Sequence, residues 1–139
     1  DRDIIIIDMP PGTGDTQLTF VQEVKIDGAI IISTPQDLAL LDVKRGIQMF
    51  EKTGVKILGL IDNMSVFKGD DGKEYKIFGE GGVKKTAKEF NKEYLGYLPL
   101  SEDLRVSADN GEPLTYSKPD HEVSKLFKNI AEKIKRSFQ

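Results

Sequence analysis

Four consecutive isoleucines, Ile4 to Ile7, stand directly before Asp8-Met9-Pro10-Pro11-Gly12-Thr13-Gly14-Asp15. A β-branched apolar run without polar alternation predicts a strand buried on both faces, the pattern of a parallel sheet covered by helices. The abrupt change to an acid, two prolines and two glycines predicts a loop at the carboxyl end of that strand. Ligands bind at that edge in open α/β sheets. Asp8 is therefore a candidate metal-binding carboxylate, of the kind that holds hydrated Mg²⁺ against phosphate oxygens. Gly12 and Gly14 allow backbone N–H groups to approach an anion closely, and Pro10 and Pro11 pre-set the shape of the loop.

Similar apolar runs recur. Gly28–Thr34, Val55–Met64 and Tyr94–Leu100 each read as a strand. Between them lie segments with helical signals. Thr13 or Asp15 can cap a helix running to about Val24, with Leu18, Val21 and Gln22 on its inner side. Thr34-Pro35-Gln36-Asp37 is a helix start with Thr34 as N-cap and Pro35 at the first position. That helix runs to about Thr53 and stops at Gly54, with Leu38, Leu41, Ile47 and Phe50 inward. Ser101 caps a short helix. The final helix starts near Pro119 and carries Val123, Leu126, Phe127, Ile130, Ile134 and Phe138 on one face. His121 reads as a solvated residue of its first turn. The expected fold is α/β, a mostly parallel sheet with flanking helices.

Two further edge residues are candidates for a ligand. Asn63 ends the third strand, and a side-chain amide offers a donor beside an acceptor, matching the amino edge of adenine. Pro99 ends the fourth strand.

The string Asp8-Met9-Pro10-Pro11-Gly12-Thr13-Gly14-Asp15-Thr16-Gln17-Leu18-Thr19 resembles the D-x-P-P-G-T-G-D-x-x-L-T segment of the Mrp (ApbC-like) ATPases, within the ParA/MinD group of P-loop ATPases. Asp62-Asn63-Met64-Ser65 is similar to that family's E-N-M-S segment, with Asp for Glu. Phe78-Gly79-Glu80-Gly81-Gly82 matches its F-G-x-G-G, Pro99 its I-P-L, and Gly111-Glu112-Pro113 its G-x-P linker. The resemblance implies a P-loop NTPase fold of the ParA/MinD type and ATP with Mg²⁺ as cofactors. It implies that Asp8 holds Mg²⁺ through water, and that Pro10, Gly12, Thr13 and Gly14 meet the nucleotide phosphates. Asn63 and Pro99 would line the base. The implied protein is an ATP-hydrolysing iron–sulfur cluster carrier or assembly factor, homodimeric, serving iron–sulfur apoproteins. The alternatives are a regulatory or positioning ATPase of the ParA/MinD kind and a degenerate interaction domain. Because the family's phosphate loop lies upstream of the D-x-P-P-G segment, residues 1–139 are expected to be the C-terminal portion of a single ATPase domain, truncated at its N-terminus and inactive alone.

Two departures matter. Many family members carry a C-x-x-C in the interval that falls here near Lys68 to Asp71, and two subunits hold a cluster with it. This chain has no cysteine, and thiolates are the usual ligands of such clusters. Gly79-Glu80-Gly81-Gly82-Val83-Lys84-Lys85-Thr86 resembles the G-K-G-G-V-G-K-T phosphate loop, but Lys84 stands where a glycine is required. The favoured reading is a helix opened by Gly81 and Gly82, running to about Glu93. Asp70-Asp71-Gly72-Lys73 reads as a hairpin turn.

Composition adds exclusions. A net charge of −3 gives no reason to expect nucleic acid or an anionic membrane as partner. No apolar run approaches the roughly 20 residues of a membrane span. Absent cysteine is compatible with a cytoplasmic setting.

Overall fold

The computed structural model describes residues 4–9 and 14–138. Its elements in chain order are α1 (Asp15–Glu23), β1 (Ala29–Ser33), α2 (Asp37–Lys52), β2 (Ile57–Lys68), β3 (Glu74–Tyr75), α3 (Gly82–Glu89), β4 (Tyr94–Leu100), α4 (Glu102–Asp109), α5 (Leu114–Ser117) and α6 (Glu122–Arg136). The twelve-residue β2 is the centre. It pairs in parallel with β1 and with β4, and its last two residues pair antiparallel with β3. The expected mostly parallel sheet with flanking helices is the fold observed.

Alternation along the strands divides the core into two layers, because successive side chains leave opposite faces of a sheet. Leu60 and Ile31 meet Leu40, Val43 and Ile47 of α2 and Val83 and Ala87 of α3. Ile61, Leu95 and Leu98 face the other way and pack on Ile130 of α6, with Ile30 beside them. Lys133 of α6 clamps this second layer by donating to the backbone oxygen of Leu95 at 2.9 Å. Gly82 lets α3 start against the turn after β1: a Cβ there would lie 2.7 Å from the oxygen of Pro35.

Several expectations are corrected. Ile4 to Ile7 form no strand and are exposed, Ile6 at 89%. β-branched residues favour a strand only where a neighbouring strand and a covering layer exist, and no described strand pairs with them. Helix α2 starts at Asp37 with Gln36, not Thr34, as N-cap. Thr34 Oγ1 instead bonds Gln36 Oε1 at 3.1 Å. Its buried stripe is Leu40, Val43, Ile47 and Phe50, while Leu38 is 78% exposed. Leu38 stands nine residues before Ile47, two and a half turns at 3.6 residues each, and so on the opposite side of the helix. β1 is only partly covered, with Ile32 at 59% exposure. Helix α1 buries Gln17 and Val21 and is opened by Gly14, without a side-chain cap.

His121 is not a solvated first-turn residue. It is the N-cap of α6, its Nδ1 accepting from the Val123 N–H at 3.2 Å, with Nε2 3.3 Å from Asp103 Oδ2. An imidazole acceptor here satisfies one of the helix's unpaired amides. Ser101 caps α4 as expected, accepting from the Leu104 N–H.

The corrected stripe of α2 is directly testable. Leu40→Ala should lower the unfolding free energy by about 2–5 kcal/mol, through lost burial plus a cavity. Leu38→Ala should change it by less than about 0.5 kcal/mol, as expected for a surface site. Urea unfolding followed by circular dichroism measures both, and equal losses would contradict the packing described.

Candidate functional site

Parallel β1 ends opposite Asp62 of β2 and parallel β4 ends opposite Phe67, while β2 runs on to Lys68, so Asn63 does not end its strand but lies within it, just past the end of β1. This edge is the candidate site. Asn63 of β2 is in register with Leu98 of β4, which sets Pro99 one residue further along the neighbouring strand. The structure thus brings together two sequence-predicted residues 36 positions apart in the chain (99 − 63). Pro99 falls where the β2–β4 register shifts, between the Asn63 and Phe67 pairs. A residue without an N–H is tolerated at such an irregularity. Asn63 Oδ1 accepts from the Met64 N–H at 3.1 Å, so this amide oxygen already has a partner in the chain. Met64 lies in the left-handed region with φ of 55°, and Ser65 Oγ reaches the Leu98 oxygen at 3.4 Å. The rim between β2 and β4 is thus tied down locally.

Other predicted residues are placed differently. Asp8 is exposed in a segment without strand pairing, so it does not sit at the end of a sheet strand. Gly14 is exposed at the start of α1 with φ of −74°, a conformation open to any residue. Pro10, Gly12 and Thr13 lie outside the described residues.

The segment resembling a phosphate loop is none. Only the two-residue antiparallel β3 precedes it, and Gly81 with φ of 69° opens a short helix that buries Val83 and Ala87. A phosphate loop needs a buried strand to aim its helix at the anion. A groove of about 500 Å³ lies between this opening and α2, lined by Pro35, Leu40, Lys44, Gly81, Lys85 and Glu89. Lys44 and Glu89 pair across it at 3.0 Å.

Lys68 to Asp71 form the first side and tip of a hairpin, as expected. Gly69 N–H donates to the Lys73 oxygen, and β3 pairs back on Phe67 and Lys68. Asp71 is fully engaged: Oδ1 accepts from the Lys73 N–H at 3.0 Å, and Oδ2 from the Tyr75 hydroxyl at 2.8 Å. These hydrogen bonds hold the Asp71 carboxyl below its ordinary range. Among the described residues no group of three or more His, Cys, Asp or Glu is arranged to hold a metal ion.

Asp62 is not among the candidate residues that the sequence singles out. Two residues beyond Leu60, it shares that residue's face by the period of a strand. It is 4% exposed, and its Oδ1 has no hydrogen-bond partner among the described residues. Desolvation raises its carboxyl to about 6. The Tyr94 phenol is pushed up to about 12 by its own burial, then by Asp62 and Tyr97. The signal was available: an acid at an inward position of a buried strand.

Because the folded carboxyl holds its proton to higher pH than the unfolded one, the native state binds more protons between about pH 4 and 6. Stability must fall as pH rises through that window. Asp62→Asn should therefore stabilise the protein at pH 7.5, by up to about 3 kcal/mol, with the gain shrinking toward zero near pH 4. Thermal melts of both proteins across this range measure it; a loss of stability at pH 7.5 would show that the ionised carboxylate has a partner.

Comparison with known proteins agrees with this architecture. A ParA family model, described as NUBPL iron-transfer P-loop NTPase, matches residues 1–135. The Iron-sulfur cluster carrier protein of Escherichia coli K12 is 43% identical over 135 residues, covering 96% of this chain and 37% of that protein. The chain thus spans well under half the length of this relative. Among solved structures, a nucleotide-binding protein of Archaeoglobus fulgidus in complex with ADP superposes with a TM-score of 0.68 at 37% identity, covering 78% of this chain and 45% of that one. The cell division ATPase MinD of Pyrococcus furiosus shares the fold, with a TM-score of 0.63 at 21% identity over 79% of this chain and 43% of its own. With a family model spanning nearly all its residues, and its strands, helices and sheet edge in the same arrangement as these neighbours, the chain belongs to the ParA family of P-loop NTPases, in the NUBPL iron-transfer group.

Proposed function

We propose that these residues are the C-terminal portion of one P-loop ATPase domain, and that the whole protein is an ATP-dependent iron–sulfur cluster carrier or assembly factor. The observation that carries this is the register of Asn63 with Leu98, the residue before Pro99, on neighbouring parallel strands, in a chain resembling an ADP-bound nucleotide-binding protein and named iron–sulfur carriers. In this reading Asn63 and Pro99 line the base. Pro10, Gly12, Thr13 and Gly14 meet the phosphates, with Asp8 reaching Mg²⁺ through water. Phosphoryl transfer depends mostly on positioning and charge neutralisation, and a phosphate-loop lysine from the rest of the domain supplies both. The free edge of β1, with Ile32 exposed, and the exposed Ile4 to Ile7 support a sheet that continues beyond the described strands.

The cargo is a separate matter. A thiolate-bound cluster does not fit the hairpin at Lys68 to Tyr75, which has no sulfur and whose Asp71 is already satisfied from within. Carriage by the whole protein, as a homodimer serving iron–sulfur apoproteins, then relies on ligands other than this hairpin. The same feature favours a second reading, a regulatory or positioning ATPase in which nucleotide controls partner binding without a cluster.

Three measurements test these readings. Asn63→Ala in the full-length protein should weaken ADP binding about tenfold, equivalent to about 1.4 kcal/mol, in titration calorimetry; unchanged affinity would remove Asn63 from the site. Residues 1–139 alone should bind ATP more weakly than micromolar, and micromolar binding would overturn the proposal that half the site lies elsewhere. Anaerobic reconstitution of the full-length protein with iron and sulfide separates the two functions: stoichiometric uptake supports a carrier, and none supports the regulatory ATPase.

A further inference from the structure

Among the described residues, Asp62 is the only charged side chain in the buried class, and its Oδ1 is unpartnered. A buried acceptor without a donor is costly in any folded state. A state that supplies the donor is correspondingly favoured, so the neighbours of Asp62 identify that state.

Register pairing sets Ser33 of β1 on one side of Asp62 and Tyr97 of β4 on the other, in one row across the sheet. Neighbouring strands lie about 4.8 Å apart, within reach of a hydroxyl-to-carboxylate bond between short side chains. Ile31 and Leu60, two residues earlier on the same strands, pack into the same layer, which fixes Ser33 and Asp62 on a shared face. Ser33 is buried, and its hydroxyl donates to the Thr34 oxygen at 2.9 Å. That carbonyl belongs to the turn leading into α2. A hydroxyl proton rotates to suit its surroundings, so a shift of the turn frees it for Asp62. Tyr97 is exposed, and the phenol of Tyr94, packed in the same layer, is the other hydroxyl near Asp62.

We propose that Ser33 and Asp62 are a positioning pair: in the nucleotide-loaded protein the Ser33 hydroxyl leaves the Thr34 oxygen and donates to Asp62 Oδ1, coupling the Thr34–Gln36 turn to Asn63. This rests on the nucleotide reading above. Asp62 precedes Asn63 directly, so what fixes the one fixes the backbone of the other. Neither residue of the pair touches the base. Their effect is on how firmly the rim is held when it is occupied.

The test is a double-mutant cycle in the full-length protein, with ADP affinity measured by titration calorimetry and apo stability by thermal melting. Ser33→Ala and Asp62→Asn should each weaken ADP binding about five- to tenfold. The double variant should bind no worse than either single one, as expected of residues acting through one contact. Ser33→Thr, which keeps the hydroxyl, should restore affinity. Apo Asp62→Asn should melt higher at neutral pH while binding ADP less well, a combination that a purely structural defect does not produce. Additive losses, unchanged affinities, or a loss confined to Tyr94→Phe or Tyr97→Phe would overturn the pair. Should Asp62→Asn fail to fold, the contrast between Ser33→Ala and Ser33→Thr decides alone. A wild-type protein that binds no ADP sinks the nucleotide reading together with the pair; a wild-type protein that binds while all variants bind equally sinks only the pair.

Discussion

The structure depends on β2 being paired along both edges. A strand with parallel neighbours on each side must send alternate residues into two separate layers, since neither face is left to water. Leu60 serves the layer under α2 and α3, and Ile61 serves the layer under α6. The same double pairing brings the carboxyl ends of β1 and β4 against the second half of β2. Everything at the candidate site is placed by that alignment, because Asn63, Leu98 and Ser33 all take their positions from β2's registers.

Within this arrangement Asp62 is the exception to an otherwise apolar alternation. Burying a carboxylate costs its hydration, and among the described residues nothing hydrogen-bonds its Oδ1 to offset that. Such local inconsistency tends to occur at functional sites, where stability is given up for another purpose. Its place one residue before Asn63, at the edge where α/β proteins take their ligands, fits that pattern. His121 and Asp71 behave in the opposite way. Both are polar groups whose partners lie close in sequence, and both close local structure: one a helix start, the other a hairpin.

The hairpin folds from its own backbone and side chains. Its closure by backbone pairing and by Asp71 requires no metal. The segment is thus a folded element in a chain without cysteine. The candidate edge at Asn63 does not share residues with the hairpin tip, although β2 runs continuously from one to the other.

Much of this was legible in the residues. The apolar runs at 29–33, 57–64 and 94–100 are strands, Ser101 is a cap, the phosphate-loop lookalike is a plain helix start, and Asn63 and Pro99 reach one edge. Each of these follows from short-range rules of periodicity, capping and turn chemistry, together with the matched motifs. What the residues left open was set by long-range neighbours. Whether Ile4 to Ile7 act as a strand depends on a partner strand, not on their own propensity. Which leucines of α2 are buried depends on where the sheet lies relative to the helix, and so Leu40 is inside while Leu38 is out. The row Ser33–Asp62–Tyr97 joins residues far apart in the chain, and only strand register could place them together.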